Sequence, residues 1–594
     1  MKETNIKERI ELLRDFMRGK NIKAFIIPTT DPHAGEYTPA HWESRKWISG
    51  FTGSAGTVVV TISKAGLWTD SRYFLQAEKQ LEGTNITLFK ERISGTPTIA
   101  EWLKQELTST DCVGIDGSVN TTYEVKELAA ELAEKRINLI TVEDPFTLIW
   151  KERPCLPEKS ICVLNEEETG EACMNKLIRI RKALTDNGAD AILISALDEI
   201  AWTLNMRGSD IHCNPVFISY LMITDKEATL FVSSAKLTKE VRERLDSCNI
   251  GVQPYDSILN CIGRTKCSRM QMSGQTNYDI YSKATSSGIS VVLAPSPVLQ
   301  MKAIKNAAEI KGFHDAMKRD GVAMVKFIIW LKQAIRSGQE DEVSIDRKLY
   351  QLRSEQARFK DISFDTIAGY QAHGAIVHYE ATTETASPLL PKGMLLLDSG
   401  GQYTDGTTDI TRTLILGPIT EEQRHDYTLV LKGMINLAMA VFPHGTCGTQ
   451  LDILARSAMW KAGINYGHGT GHGVGHYLNV HEGPHQIRMN HMPTPLVPGM
   501  TVTDEPGIYK AGEYGIRIEN TMLVIPHSQT EFGQFYTFEA LTLCPIDKEA
   551  INIDMLSREE RQWFNEYHKH VKNTLSPLLN EDERTWLDQA TSAI

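Results

Sequence analysis

Glycine stands at every second position from 467 to 475 in YGHGTGHGVGHYLNVHEGP (466–484), and this spacing limits the fold more than any other feature. A glycine inside a helix costs roughly 1 kcal/mol relative to alanine, so this run excludes a regular helix. What remains is a permissive, extended backbone along which His468, His472 and His476 are aimed one by one, with His481 close behind. Four histidines packed so closely point to a site rather than to an ordinary core. Their spacing is not the helical H-E-x-x-H of zinc proteases, nor a G-x-G-x-x-G fingerprint or a P-loop.

Carboxylates flank this ribbon. In GMLLLDSGGQYTDGTTDITRT (393–413) an apolar strand ends at Asp398, a turn containing Asp405-Gly406 follows, and a Thr-rich strand carries Asp409. A hairpin here brings Asp398 and Asp409 side by side, and two buried carboxylates need a proton or a cation between them. A plain turn role for Asp398 and Asp405 is the competing reading. Downstream, Glu505 ends the strand of TVTDEPGIY (501–509) just before a Pro-Gly turn. In YGIRIENTMLV (514–524), Arg517 and Glu519 alternate with Ile516 and Ile518 and so share one strand face. Facing solvent, they form a routine ion pair; facing inward, Glu519 needs a partner, and a metal is the natural one. Two Asp, one His and two Glu make a hard, oxygen-rich donor set. It is too hard for a structural zinc site and too acidic for one divalent ion in a neutral pocket, and suits two bridged divalent ions, with Mn²⁺ as the first expectation.

At 594 residues the chain has room for about three or four domains. Two stretches of the first half share a pattern: helix, buried strand, a Trp-containing turn ending in Gly, then two β-rich runs. One runs through KAFIIP and RKWISGFTGSAGTVVVTISKAGLWTD, the other through ADAILIS, DEIAWTLNMRGSD and VFISYLMITDKEATLFVS. They predict two related α/β domains in tandem, over 1–155 and 156–305. FTLIWKERPCLP (146–157) forms one boundary and APSPVLQMKAIKN (294–306) the other. From Asn306 to about Ile335 the apolar periodicity is helical, and helices are also predicted across 420–442, near 448–462 and in the C-terminal extension beyond about 547. Mixed with β-rich runs, they make 306–594 an α+β domain.

The formal charge of −12 and the lack of a long basic block argue against nucleic acid or anionic lipid as partners. Ten scattered cysteines without a C-x-x-C pair read as reduced thiols. No apolar stretch reaches the ~18 residues of a membrane span, and the amphipathic N-terminal MKETNIKERIELLRDFMRGK does not read as a signal peptide. The expectation is a cytoplasmic protein.

The order Asp398, Asp409, His472, Glu505, Glu519 resembles the five-ligand signature of the pita-bread metallopeptidases, which include methionine aminopeptidases, prolidases and Xaa-Pro aminopeptidases. With DPHAGEY, ISGFTGSAGTVVV and LWTDSRYFLQA in the first domain, the likeness spans nearly the whole chain. It is greatest to the long cytosolic branch of the aminopeptidase P family, in which two creatinase-like α/β domains precede a pita-bread catalytic domain. The resemblance implies that Asp398 and Asp409, His472, Glu505 and Glu519 hold two divalent ions, Mn²⁺ first, with Co²⁺ and Zn²⁺ as alternatives. It implies that Glu505, His378, His468 and His481 act in catalysis and that Arg72, His378, His481 and Arg517 bind substrate. The resemblance assigns no role to His476, which stays outside the expected site. The implied activity is metal-assisted hydrolysis of the bond before a penultimate proline, releasing the N-terminal residue, by a homodimer. A prolidase confined to Xaa-Pro dipeptides and a non-catalytic peptide-binding relative are the alternatives.

Overall fold

A computed structural model describes residues 5–594, which form two compact units. The N-terminal unit comprises residues up to 164 with 171–212 and 216–298. It holds two six-stranded sheets. The first is built, in chain order, from Ala24–Pro28, Thr57–Thr61, Ala65–Thr69, Thr87–Lys90, Cys112–Asp116 and Asn138–Val142. The second is built from Ala191–Ile194, Ser219–Thr224, Ala228–Val232, Ile250–Gln253, Arg269–Met272 and Ser290–Leu293. Counting strands within each sheet, both run in the order 4-3-2-1-5-6. The directions also agree: 1–2 and 2–3 are antiparallel, and 3–4, 1–5 and 5–6 parallel, in both sheets. The tandem pattern therefore reflects one topology used twice.

The Trp-bearing segments expected as turns are short helices, Ser44–Ser49 and Leu197–Leu204. Each is stopped by a residue in the left-handed region, Gly50 at φ 73° and Asn205 at φ 52°. The turn residues marked helix ends, and the apolar residues before them were close enough in sequence to form one or two turns of helix.

The C-terminal unit comprises 165–170, 213–215 and 299–594. Its longest helix, Ala307–Ala334, opens with a reciprocal cap. Asn306 Oδ1 accepts from the Ala308 and Glu309 amides at 2.9 and 3.0 Å, while Glu309 Oε2 accepts from the Asn306 amide at 2.9 Å. The strand Met394–Ser399 lies between Ile367–Tyr370 and Ile410–Ile415, antiparallel to both. Its side chains alternate: Leu395 and Leu397 join Phe327 and Leu331 of the long helix in one core cluster, whereas Met394 joins another with Tyr427 and Ile516. Fully burying each such leucine is worth about 1.5–3 kcal/mol, so the strand Met394–Ser399, with Asp398 near its end, is firmly anchored.

The remaining expected helices are Glu421–Ala438 and Gly448–Lys461, with Arg558–Leu575 and Glu581–Ala590 at the C-terminus. A four-stranded sheet joins Phe442–Pro443, Gly533–Ala540, Asn520–Thr530 and Thr501–Asp504 in that order. The helix Arg558–Leu575 is tied to the strand Ile410–Ile415, which begins just after Asp409, by the fully buried Arg412. Its guanidinium donates to the carbonyls of Pro545 and Cys544 and to the Tyr567 hydroxyl, at 3.1, 2.9 and 2.9 Å. No helix among the described residues is long and apolar enough to cross a membrane.

Candidate metal and catalytic site

Five carboxylate and histidine side chains converge from four separate stretches of the C-terminal unit. The pairing of Met394–Ser399 with Ile410–Ile415 sets Asp398 opposite Thr411, two residues beyond Asp409. Only Gly471–Gly473 of the glycine ribbon forms a strand, paired with Glu482–Ile487. A Cβ on Gly471 would fall 1.9 Å from the Thr503 carbonyl oxygen. Only glycine permits that approach, and it brings His472 against the Thr501–Asp504 strand, where the His472 amide donates to Thr503 Oγ1 at 3.1 Å. Glu505 follows that strand, and its amide donates to the Thr470 carbonyl at 2.8 Å.

His472 Nδ1 lies 2.9 Å from the Gly473 carbonyl, to which it can only donate, and this turns Nε2 toward the acids. Nε2 is 3.3 Å from Asp409 Oδ2 and 3.8 Å from Glu505 Oε1. Ligand atoms of Asp409, His472 and Glu519 all lie within 4.8 Å of one another. Glu519 is held by the Thr411 hydroxyl, which donates to its Oε2 at 2.9 Å. Asp398 Oδ2 accepts from Arg517 Nη2 and Nε at 2.7 and 3.1 Å, whereas its Oδ1 is buried with no hydrogen-bond partner.

The electrostatics follow from this crowding. Burial pushes the Glu505 carboxyl up to about 7; Asp409 and Asp398 add to the rise, while His472 and Arg517 oppose it. Burial also drives Glu519 well above the usual carboxylate range, with Asp409, Asp398 and Glu505 adding to it. Asp398 is raised by burial and by Asp409, with Arg517 opposing. Burial works against a charged His472, but Asp409 and Glu505 overcome it and lift the imidazole to about 9. Four ionised carboxylates facing one arginine and one histidine leave buried negative charge that calls for protons or cations. The unsatisfied Asp398 Oδ1, the inward-turned His472 Nε2 and the hard donor set suit divalent cations.

Other expected residues surround this cluster. The His481 ring packs edge-on against His472, centroids 4.3 Å apart. His468 Nδ1 is bonded to the Gly469 carbonyl and Nε2 to the Tyr509 hydroxyl, each at 2.7 Å. Arg517 ends the strand Tyr514–Arg517, while Glu519 lies in the two-residue break before Asn520–Thr530, so the expected single strand through both is interrupted. Arg517 donates to Tyr509 Oη at 2.6 Å and to the carbonyl of Val377, next to His378, at 3.3 Å. Its donors thus serve Asp398, Tyr509 and the His378 segment. His476 is buried in the core against Phe313 of the long helix. Arg72 belongs to the N-terminal unit, where its guanidinium is bidentate to Asp70 at 2.9 and 2.8 Å.

Sequence reasoning assigned no role to Tyr509, Thr411, Thr470 or Thr503. Tyr509 stood within the quoted TVTDEPGIY. Thr411 and Thr503 lie in strands, where alternation marks a face without saying what it meets, and Thr470 lies just before the strand Gly471–Gly473.

Comparison with known proteins shows the family. Residues 311–526 match the model of metallopeptidase family M24, and 534–594 the C-terminal region of that peptidase family. Residues 9–153 and 152–309 each match the creatinase/prolidase N-terminal domain. The chain is 40% identical to Xaa-Pro aminopeptidase 1 of Dictyostelium discoideum, over 99% of this chain and 96% of that protein. The crystal structure of X-prolyl aminopeptidase from Caenorhabditis elegans, described as a cytosolic enzyme with a di-nuclear active site, superimposes with a TM-score of 0.95. It is 34% identical, and each chain is covered completely. Xaa-Pro dipeptidase from Bacillus anthracis shares the fold alone, at a TM-score of 0.51, 24% identity and coverage of 63% of this chain and 99% of that one. The chain belongs to metallopeptidase family M24, with two creatinase/prolidase N-terminal domains ahead of its peptidase domain.

Proposed function

We infer that this protein is a metal-dependent Xaa-Pro aminopeptidase that releases the N-terminal residue from peptides with proline in second position. The observation that carries the reading is the cluster of Asp409, His472 and Glu519 within 4.8 Å, with Asp398 and Glu505 beside it, in a chain of this family. Asp398 and Asp409, His472, Glu505 and Glu519 would hold two divalent ions, with Mn²⁺ the first choice for so oxygen-rich a set. When bound, such ions polarise a carbonyl and lower the pKa of a water toward about 7.

The chain's own residues do the rest. Glu505 takes the proton of the attacking water at a carboxylate oxygen and passes it to the leaving imino nitrogen of proline. His481, packed on His472, and His378 hydrogen-bond the scissile carbonyl oxygen as negative charge develops there. His468, fixed by Tyr509 and the Gly469 carbonyl, orients the substrate end. Arg517 holds Asp398 and Tyr509 in place and reaches substrate through them. Arg72, bound to Asp70 through Nε and Nη2, is proposed as a substrate residue on the family resemblance, through donors that Asp70 does not use. A prolyl bond lacks the amide hydrogen and restricts the residue before it, which favours a dedicated site. Ten cysteines scattered without a C-x-x-C pair and the cytosolic nematode relative support a cytoplasmic enzyme; a homodimer is the assembly that the family resemblance implies.

The test is mass spectrometry of products from matched peptides with chelated and Mn²⁺-reloaded protein. An Xaa-Pro-Xaa tripeptide should lose its first residue only with metal present, and the Xaa-Ala-Xaa analogue should react far more slowly. An acetylated N-terminus should block cleavage, because an amine-binding position rejects the added group. Cleavage confined to Xaa-Pro dipeptides would make the enzyme a prolidase. Equal rates for Pro and Ala would reject both readings, and full activity without metal would overturn the chemistry.

A further inference from the structure

A buried ion pair stands behind the glycine ribbon, on an element outside all of the sequence motifs. Asp452 and Arg456 lie one turn apart on the helix Gly448–Lys461, with side chains only 3% and 1% exposed. Arg456 Nε donates to Asp452 Oδ2 at 2.6 Å. Removing two charges from water costs several kcal/mol per ion unless further hydrogen bonds compensate. Here those bonds go to the ribbon. Arg456 Nη1 donates to the Tyr466 carbonyl at 2.7 Å and to Asn465 Oδ1 at 3.1 Å, and Nη2 to the His468 carbonyl at 2.8 Å. The guanidinium also stacks 3.7 Å above the Tyr466 ring. Asp452 Oδ1 accepts from the Thr470 hydroxyl at 2.5 Å, and the Tyr466 hydroxyl lies 2.6 Å from the same Thr470 oxygen.

One ion pair therefore grips the ribbon at residues 466, 468 and 470. From Thr470 the grip reaches the site twice: its carbonyl accepts the Glu505 amide at 2.8 Å, and His472 follows two residues later. A ribbon this rich in glycine has no helical ladder and few side chains to fix its course, so bonds to its backbone must do so.

We propose that Asp452 and Arg456 are positioning residues of the metal site, holding His468, His472 and Glu505 at the distances their chemistry requires. The activity arm of the test rests on the aminopeptidase reading; the metal-affinity arm does not. Arg456→Lys keeps the charge, but an ammonium lacks the planar fork that spans both carbonyls and the carboxylate. Asp452→Asn keeps the shape and an acceptor, and Thr470→Val removes only the hydroxyl. In the full-length, Mn²⁺-loaded protein, Arg456→Lys and Asp452→Asn should lower kcat on an Xaa-Pro-Xaa tripeptide by about tenfold or more, with KM within about threefold. Calorimetry with Mn²⁺ alone should show binding weakened by about tenfold, while thermal unfolding stays cooperative. If either variant fails to fold, Thr470→Val carries the test, with the same losses expected. Folded variants with kcat and Mn²⁺ affinity within about twofold of the parent would overturn the proposal. So would a loss of activity that merely matches the loss of folded protein. If the parent does not cleave the tripeptide, the functional reading falls and the Mn²⁺ affinities alone decide this one.

Discussion

Glu505→Gln should stabilise the chelated protein while abolishing turnover. The Glu505 side chain is 19% exposed, and burial, with Asp409 and Asp398, pushes its carboxyl from 4.5 to about 7. At about 1.4 kcal/mol per pH unit, that rise opposes folding by about 3 kcal/mol once the pH exceeds 7. The sign follows from proton counting. Between pH 4.5 and about 7 the folded chain keeps a proton that the unfolded chain releases, so stability falls as pH rises through this window. Asp398 and Glu519, both raised by burial, act in the same direction. His472, lifted from 6.5 to about 9 against the effect of burial, contributes stability that is complete below 6.5 and lost as pH rises through 9.

Glutamine keeps the shape of Glu505 and removes its charge, but it also deprives the His472 imidazolium of a neighbour. The net gain at about pH 8 should therefore be about 1–3 kcal/mol. Added Mn²⁺ should reverse the order, because binding to the folded state stabilises the parent and the variant has lost a ligand. Urea unfolding of both chelated proteins at a series of pH values from about 5 to 8, with and without Mn²⁺, measures this. A parent-to-variant difference that fails to grow in the variant's favour as pH rises would refute the argument. So would a variant less stable than the parent at the alkaline end without metal.

His378→Ala and His481→Ala should keep near-normal metal content, read by elemental analysis, yet lose about tenfold or more in kcat/KM, or about 1.4 kcal/mol of transition-state stabilisation; metal loss in either would move that histidine into the ligand set. Gly471→Ala places a methyl group 1.9 Å from the Thr503 carbonyl, whereas Gly469→Ala meets nothing closer than the Ile487 carbonyl at 3.6 Å. The first should cost about 3 kcal/mol or more and much of the bound metal, the second about 1 kcal/mol or less, as compared by thermal unfolding and metal content.

Much of the molecule was legible from residues close together in the chain. Helical periodicity marked Ala307–Ala334 and Gly448–Lys461 because side chains three and four apart share a helix face. The two tandem sheets announced themselves through repeated runs of local pattern. Alternate glycines excluded a helix at 467–475 because that constraint acts residue by residue. The Trp-bearing segments misled for the same reason: turn residues mark an end, but they do not say whether the chain before them coils.

What only tertiary structure decided was which way the polar groups face and what meets them. Alternation placed Arg517 and Glu519 on one strand face, yet the inward direction came from packing, which put Arg517 against Asp398, more than a hundred positions earlier, at 2.7 Å. The glycine spacing alone did not divide the labour among the histidines; the family resemblance singled out His472, and the fold supplies the reason. His472 became the inward-facing donor because the Gly473 carbonyl holds its Nδ1, while His476 entered the core against Phe313. Asp452 and Arg456 lay unremarked in the expected helix near 448–462, and only the folded chain aims them at Tyr466, His468 and Thr470. The physical reason is one of range. Backbone preference and periodicity are set by near neighbours in the chain, whereas a hydrogen bond or a shared cation is decided within about 3 Å in space, by segments that only the completed fold brings together.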